Sequence, residues 1–344
     1  MSRVLLAAHD TGGANILAPI YFELINNVKY DVRFYVAGPA RKVLTNKVRF
    51  ISENIKDIED IVNEFNPKMI ITGTSEYSDF ERNFWDIAKA KHILSFAILD
   101  AWINIKIRFL KKSSNNYIEP DIIGVVDEDM KQELEISHWC NATLEVTGQA
   151  HLESVASRIN MFPQTNSIKE TKLLFISEPY LEKKLTEKLG YNQYQIIECL
   201  LANLRGMKSY KVVIKPHPNE PASGWNNWMN KHNSKNHINI SICNENIEKL
   251  IASTDLVLGI TSMSLIEAAI AGKPVLAIQL GQAANPNPAI EKIGAIKILN
   301  EIEDIEMNIE RELSMKNNIN SKINISSKFK NSKLNTLKII KDNL

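Results

Sequence analysis

Short apolar runs recur along the chain, at residues 4–8, 32–36, 69–72, 93–99, 122–126 and 144–146, with polar or helical stretches between them. Each run is strand-length and continuous rather than alternating, which is how a strand buried on both faces reads. The pattern restarts at 172–176 and continues at 211–214, 238–242 and 256–260. Between the runs, apolar residues recur at helical spacing, as in Ile16, Leu17, Ile20 and Leu24, and again in Ile196, Ile197, Leu200, Leu201 and Leu204. Alternating strands and helices predict an α/β fold with parallel sheets covered on both faces.

The repetition of the pattern predicts two domains. A first spans 1–155, and the polar, aperiodic stretch 156–170 reads as a linker. A second domain spans 171–314, and a Lys/Asn-rich tail follows at 315–344. Weak periodicity at Leu334, Leu337, Ile339 and Ile340 predicts that the tail ends in a helix packing back on the body, with its lysines as a solvated face. A length of 344 residues with 44% hydrophobic content supports a sizeable core. Forty-one basic against forty acidic residues give no field that predicts nucleic acid as a partner. Three widely spaced cysteines without a C-x-x-C pattern indicate neither a disulfide framework nor a zinc site. No window approaches a membrane span, so the expected location is cytoplasmic, at most peripheral to a membrane.

Candidate chemistry gathers where strands end. Lys215-Pro216-His217-Pro218 stops a buried strand, and its two prolines hold His217 in a nearly fixed frame. Strand carboxyl ends are where open α/β sheets bind ligands. Ser177-Glu178 follows another strand, and Thr261-Ser262-Met263-Ser264 feeds a helix start with three hydroxyls suited to phosphate oxygens. In that helix Ser264 and Glu267 fit a capping box and Gly272 fits a left-handed terminator. In the first half, His9-Asp10-Thr11-Gly12-Gly13-Ala14-Asn15 is a strand-to-helix turn whose glycines either admit a ligand or serve turn geometry alone. It is not a dinucleotide fingerprint. Gly73-Thr74-Ser75-Glu76 and Asp100-Ala101-Trp102-Ile103-Asn104 also follow strands. Asp100 is placed either to act as a general base or to cap the next turn. Asp127-Glu128-Asp129 reads as a D-x-D metal triplet or as the acidic opening of a helix. The loop 281–288 is expected on the same rim as these turns.

Over roughly residues 4–299 the chain resembles glycosyltransferases of the GT-B type, two facing Rossmann-like domains with a nucleotide-sugar cleft between them. The Lys-Pro-His-Pro turn followed by Thr261 to Ser264 is similar to the histidine-proline and serine/threonine motifs of bacterial sialyltransferases, polysialyltransferases and Kdo transferases. That resemblance implies that His217 binds the donor phosphate as leaving-group residue, and that Ser262 and Ser264 hold the nucleotide. Ser177, Glu178, Lys215, Pro218, Thr261, Met263 and Glu267 complete the expected nucleotide and phosphate side. His9, Gly12, Gly13, Asn15, Ser75, Trp102 and Asn104 form the expected acceptor side. The segment from Asp100 to Asn104, with Arg108-Phe109, also resembles a motif of bacterial surface-polysaccharide proteins. The acidic-acidic-glycine triplet that carries the base in the sialyltransferase group is missing, which leaves Asp100 and Asp10 as candidates.

The expected activity is inverting, metal-independent transfer of a sugar to a surface glycan or glycosylated protein. A CMP-linked acidic sugar, a nonulosonic acid or Kdo, is the favoured donor, used as a substrate with no cofactor. The chemistry needs a stabilised departing phosphate, expected from a cationic imidazole and a helix N-terminus, and a carboxylate to take the acceptor proton. The alternatives are an enzyme like UDP-N-acetylglucosamine 2-epimerase, a polyol-phosphate transferase, and a noncatalytic sugar-nucleotide-binding protein.

Overall fold

A computed structural model describes residues 1–44, 48–163, 170–204, 209–232, 238–280, 288–301, 305–315 and 327–344. The first half runs β1 (Ser2–Ala8), α1 (Thr11–Ile25), β2 (Tyr30–Val36), β3 (Arg49–Phe50), α2 (Ile55–Phe65), β4 (Met69–Thr72), α3 (Phe80–Ala90) and β5 (Leu94–Ile98). It continues with β6 (Leu110–Lys111), β7 (Asn116–Tyr117), β8 (Ile122–Val125), α4 (Glu128–Ser137), β9 (Thr143–Val146) and α5 (Ala150–Met161). The second half opens with β10 (Thr171–Ile176), α6 (Thr186–Leu189), α7 (Gln193–Asn203), β11 (Tyr210–Lys215), α8 (Ala222–His232), β12 (Asn239–Ile242) and α9 (Ile247–Ala252). Then come β13 (Leu256–Gly259), α10 (Met263–Ile270), β14 (Val275–Ile278), α11 (Pro288–Ile293), β15 (Lys297–Leu299), α12 (Ile305–Met315) and α13 (Ser332–Asp342).

The chain forms two compact units, Met1–Ser154 with Lys328–Leu344, and Val155–Ser327. The first contains a parallel sheet in the order β3-β2-β1-β4-β5-β8-β9, the second a parallel sheet in the order β12-β11-β10-β13-β14-β15. Both faces of the first sheet are covered, Val4, Leu6 and Ala8 packing into one cluster and Leu5 and Ala7 into another. That is why the strands read as unbroken apolar runs. In each sheet the order reverses at the first strand, between β1 and β4 and between β10 and β13, which makes the ends of those strands the place for a ligand.

The stretch expected as a linker is helical as far as Met161, because Leu152, Val155, Ala156 and Ile159 form a buried stripe at helical spacing within α5. Residues 164–169 and the loop 281–287 lie outside the described residues. The tail helix α13 belongs to the first unit, where Ile340 joins the core and Lys333 bonds Glu23 at 2.6 Å. The three cysteines are free thiols. Among the described residues no helix is long and apolar enough to cross a membrane.

Candidate active site

In the first unit, β1 delivers His9 and Asp10 to the switch point. His9 Nδ1 lies 2.7 Å from Asp10 Oδ1 and Nε2 lies 3.0 Å from Glu53 Oε1. Only an imidazolium donates to both. Burial alone lowers the His9 pKa, but Asp10, Glu81 and Glu53 outweigh it and hold His9 above its ordinary value. Asp10 is the N-cap residue of α1 without a side-chain capping bond. Burial raises its pKa, yet the His9 bond, the Glu76 N–H and Arg108 leave it below the usual carboxylate range. Beneath them, buried Glu81 accepts from the His9 N–H at 2.8 Å and from Ser75 Oγ at 2.6 Å.

Asp100 follows β5. Its Oδ1 accepts from Arg108 Nη1 at 2.8 Å, and its backbone carbonyl accepts from Gln149 Nε2 at 3.0 Å. Arg108 also donates to Thr74 Oγ1 at 3.0 Å and to Glu76 Oε1 at 3.3 Å. Burial lifts the Asp100 pKa, Arg108 opposes the rise, and the Asp10 charge adds to it. The two candidate bases therefore sit in one electrostatic unit with their pKa values displaced in opposite directions, an arrangement that separates proton-transfer roles.

The glycines of the α1 turn have steric reasons. A Cβ on Gly12 would stand 1.9 Å from Asp100 Oδ2, and a Cβ on Gly73 would stand 2.5 Å from the Gly13 Cα. Gly12 makes room for the carboxylate, and Gly13 and Gly73 let two strand-to-helix turns touch. Asn15 is half-buried one turn along α1.

Trp102 is only 3% exposed, its Nε1 donates to Asp127 Oδ2 at 2.8 Å, and its ring meets Phe329 edge-on at 6.0 Å. It is a wall rather than an open stacking platform. Asn104 donates to Glu76 Oε1 at 3.1 Å. Asp127 caps α4 through the Met130 N–H and pairs with Lys328, so the acidic triplet opens a helix.

In the second unit, Ser177-Glu178 after β10 ties two motifs together. Ser177 Oγ donates to Glu220 Oε1 at 2.7 Å, and the other oxygen of Glu220 accepts the His217 N–H. Glu220 also accepts from Trp225 Nε1 at 3.2 Å. The next residue, Glu178, accepts from the Thr261 N–H at 2.6 Å and from Thr261 Oγ1 at 2.8 Å. The Lys-Pro-His-Pro turn and the start of α10 thus share one scaffold. Lys215, His217, Pro218, Glu220 and Asn244 help line a cavity of about 270 Å³ there.

Three expectations change at this site. His217 Nδ1 accepts the Asn219 N–H at 3.0 Å, and burial, with Lys183 and Lys215, lowers its pKa. The resting ring is therefore a neutral Nε2–H donor, not a cation. Glu178 puts a carboxylate against the Thr261 turn, where hydroxyls suited to a phosphate were expected, and organises that turn. Buried Thr261 shares its hydroxyl with Glu178 and Tyr180. The N-cap of α10 is Ser262, which accepts the Ser264 N–H at 3.2 Å because its backbone is extended, while Ser264 is already helical and bonds Glu267. Met263 is 38% exposed beside them, and Gly272 has the left-handed φ of +83°.

Sequence reasoning missed Glu53, Glu81 and Arg82 as parts of the site and undervalued Glu76 and Arg108. Arg82 is fully buried, donating to the Ser75 carbonyl at 2.8 Å and to Asp79 at 3.0 Å. A signal for it exists in the charged pair Glu81-Arg82 on the inner side of α3.

The family model for alpha-2,8-polysialyltransferase (POLYST) matches residues 124–273, a span that includes both the His217 turn and the Thr261 to Ser264 segment. No curated protein matches significantly. Among solved structures, a putative UDP-N-acetylglucosamine 2-epimerase from Listeria monocytogenes superposes with a TM-score of 0.71 at 13% identity, over 99% of this chain and 96% of that one. The UDP-GlcNAc 2-epimerase of Neisseria meningitidis bound to UDP-GlcNAc gives 0.67 at 14% identity, covering 99% and 100%. Acinetobacter baumannii MurG gives 0.64 at 11% identity, covering 99% and 100%. The fold is of the GT-B class. The family-model match indicates an enzyme of the glycosyltransferase class.

Proposed function

We propose that the chain is an inverting, metal-independent glycosyltransferase that moves a sugar from a nucleotide donor to a glycan or glycosylated protein. The observation that carries this reading is the single scaffold, Ser177-Glu178 with Glu220, that joins the His217 turn to the start of α10 at a strand switch point. His217 Nε2–H and Lys215 face the departing phosphate, and Ser262 with Ser264 holds the nucleotide. In the first unit Asp100 takes the acceptor proton. Its raised pKa brings it nearer the operating pH, and Arg108 keeps it oriented. Asp10, locked against His9, tunes Asp100 electrostatically. The favoured donor is a CMP-linked acidic sugar, a preference supported by the polysialyltransferase family match.

The test is a binding and turnover comparison of the unmodified chain with His217→Ala and Asp100→Asn. His217→Ala is expected to weaken CMP binding and to lower turnover, and Asp100→Asn to lower turnover alone. Unchanged CMP affinity in His217→Ala refutes the phosphate assignment. A second reading, epimerisation of a UDP-sugar, is favoured by the 2-epimerase neighbours, one of them bound to UDP-GlcNAc. Formation of an isomer without any acceptor identifies that reading.

A further inference from the structure

The first unit contains a cavity of about 560 Å³, within the size range of ligand pockets, lined in part by Glu76, Tyr77, Asn104, Lys106, Ile107 and Glu133. We propose that this cavity is the acceptor subsite and that it takes the uncharged end of a glycan, with a pyranose ring set against Tyr77. The proposal rests on the transferase reading and adds the class of acceptor.

Tyr77 is 77% exposed at the rim, whereas Trp102, on the same cavity, is buried. An exposed aromatic face beside fixed polar groups suits a sugar ring, which has an apolar C–H face and a polar edge. Lys112 places its ammonium 4.9 Å from the Tyr77 ring centroid. Trp102 behind is held by Asp127 and Phe329, so the wall is preorganised.

Glu76 connects the cavity to the proposed base. Its carboxylate accepts from Asn104 Nδ2 and from Arg108 Nη2, and Arg108 Nη1 holds Asp100. Its backbone N–H bonds Asp10. A sugar hydroxyl seated at Glu76 is therefore one residue away from both carboxylates of the cluster.

The charge of the lining selects the occupant. Glu76 and Glu133 stand against Lys106 in the lining and Lys112 at the rim, and Arg108 is shared between Glu76 and Asp100. A sialylated acceptor brings one carboxylate per sugar and requires a surplus of cations, as charge-assisted recognition of carboxylates does. This lining has no such surplus. The acceptor end is accordingly uncharged.

The test uses the full chain in saturation-transfer NMR with three uncharged disaccharides, N-acetyllactosamine, maltose and chitobiose, and with a sialic acid trimer. At least one disaccharide is expected to bind, with affinity reduced fivefold or more by Tyr77→Ala and unchanged by Tyr117→Ala, an exposed tyrosine outside the cavity lining. Preference for the trimer, absence of binding by all three disaccharides, or insensitivity to Tyr77→Ala overturns the proposal. CMP binding is measured on the same samples. If CMP binds and the disaccharides do not, the subsite fails while the nucleotide reading stands; if CMP does not bind, that reading fails first.

Discussion

Replacing Gly12 by alanine tests whether Asp100 is the base without touching a titratable group. The added methyl carbon falls 1.9 Å from Asp100 Oδ2 and 2.8 Å from its Cγ. An unstrained nonbonded contact needs roughly 3.5 Å, so the carboxylate must retreat by about 1.5 Å. That displacement breaks the 2.8 Å bond to Arg108 Nη1 or drags the buried guanidinium with it. A misplacement near 1 Å costs on the order of 100-fold in rate, equivalent to about 2.7 kcal/mol of barrier. Stability carries a second signature. In an unobstructed helix Gly→Ala gains up to about 1 kcal/mol, whereas forcing a methyl into a packed site costs about 1–3 kcal/mol. The expected outcome is a turnover near one hundredth of normal, an unchanged CMP affinity and a lowered melting temperature. Steady-state transfer, isothermal titration and thermal unfolding read these three quantities. Normal turnover in a folded Gly12→Ala protein refutes the reasoning and passes the proton-acceptor role to Asp10, which His9 and Glu76 hold independently of Gly12.

Three further outcomes are expected. Gly73→Ala brings a methyl to 2.5 Å from the Gly13 Cα, and because backbone rather than a side chain must yield, urea unfolding should show a loss of about 2 kcal/mol or more. Glu220→Gln leaves one acceptor oxygen for Ser177, Trp225 and the His217 N–H, so about 1–3 kcal/mol of stability is lost and CMP binding weakens, both measurable by unfolding and titration. His9 has a folded pKa above its unfolded value of about 6.5, so the stability it contributes is complete below that value and fades as pH rises through the folded pKa. The stability difference between the unmodified chain and His9→Gln should therefore shrink as pH rises above the ordinary histidine value of about 6.5, and a difference that grows in that direction contradicts the assignment.

The strands were legible because parallel sheets bury both faces, so the runs at 4–8 and 172–176 stand out against everything polar around them. Their carboxyl ends were legible for the same reason, and the sequence pattern alone puts His9, Asp10, Asp100, Ser177 and His217 at strand ends. The α5 helix was missed because Ser157, Arg158 and Asn160 dilute a stripe visible only once Leu152 and Ile159 are aligned at helical spacing. The short β3 strand and the β6–β7 hairpin leave too few residues for any period to register. Partners of a polar cluster are harder still. Glu53 and Glu81 are 44 and 72 residues from His9 in sequence, and local spacing contains nothing about such pairings. The neutral state of His217 depends on one backbone N–H two residues away and on Lys183, neither of which a motif encodes.

That neutral histidine makes a prediction about protons. In the free protein burial, Lys183 and Lys215 lower the His217 pKa, so the ring is uncharged near neutral pH. A phosphate placed against Nε2–H favours the charged ring and raises that pKa, and binding must then take up a proton over the interval between the two values. Nucleotide affinity should rise as pH falls through that interval. The phosphate complicates a direct reading, because its own second ionisation near pH 6 removes charge from the ligand over the same range. The comparison with His217→Asn removes this difficulty, since the ligand titrates identically in both proteins and an amide retains a donor without a titratable group. Isothermal titration of CMP in two buffers of different ionisation enthalpy measures the protons taken up. The unmodified chain should take up more protons near pH 6.5 than His217→Asn, and the difference should vanish at about pH 8.5, above the ordinary histidine range. Equal uptake by the two proteins at every pH shows that the imidazole does not meet the phosphate, and passes that contact to Lys215.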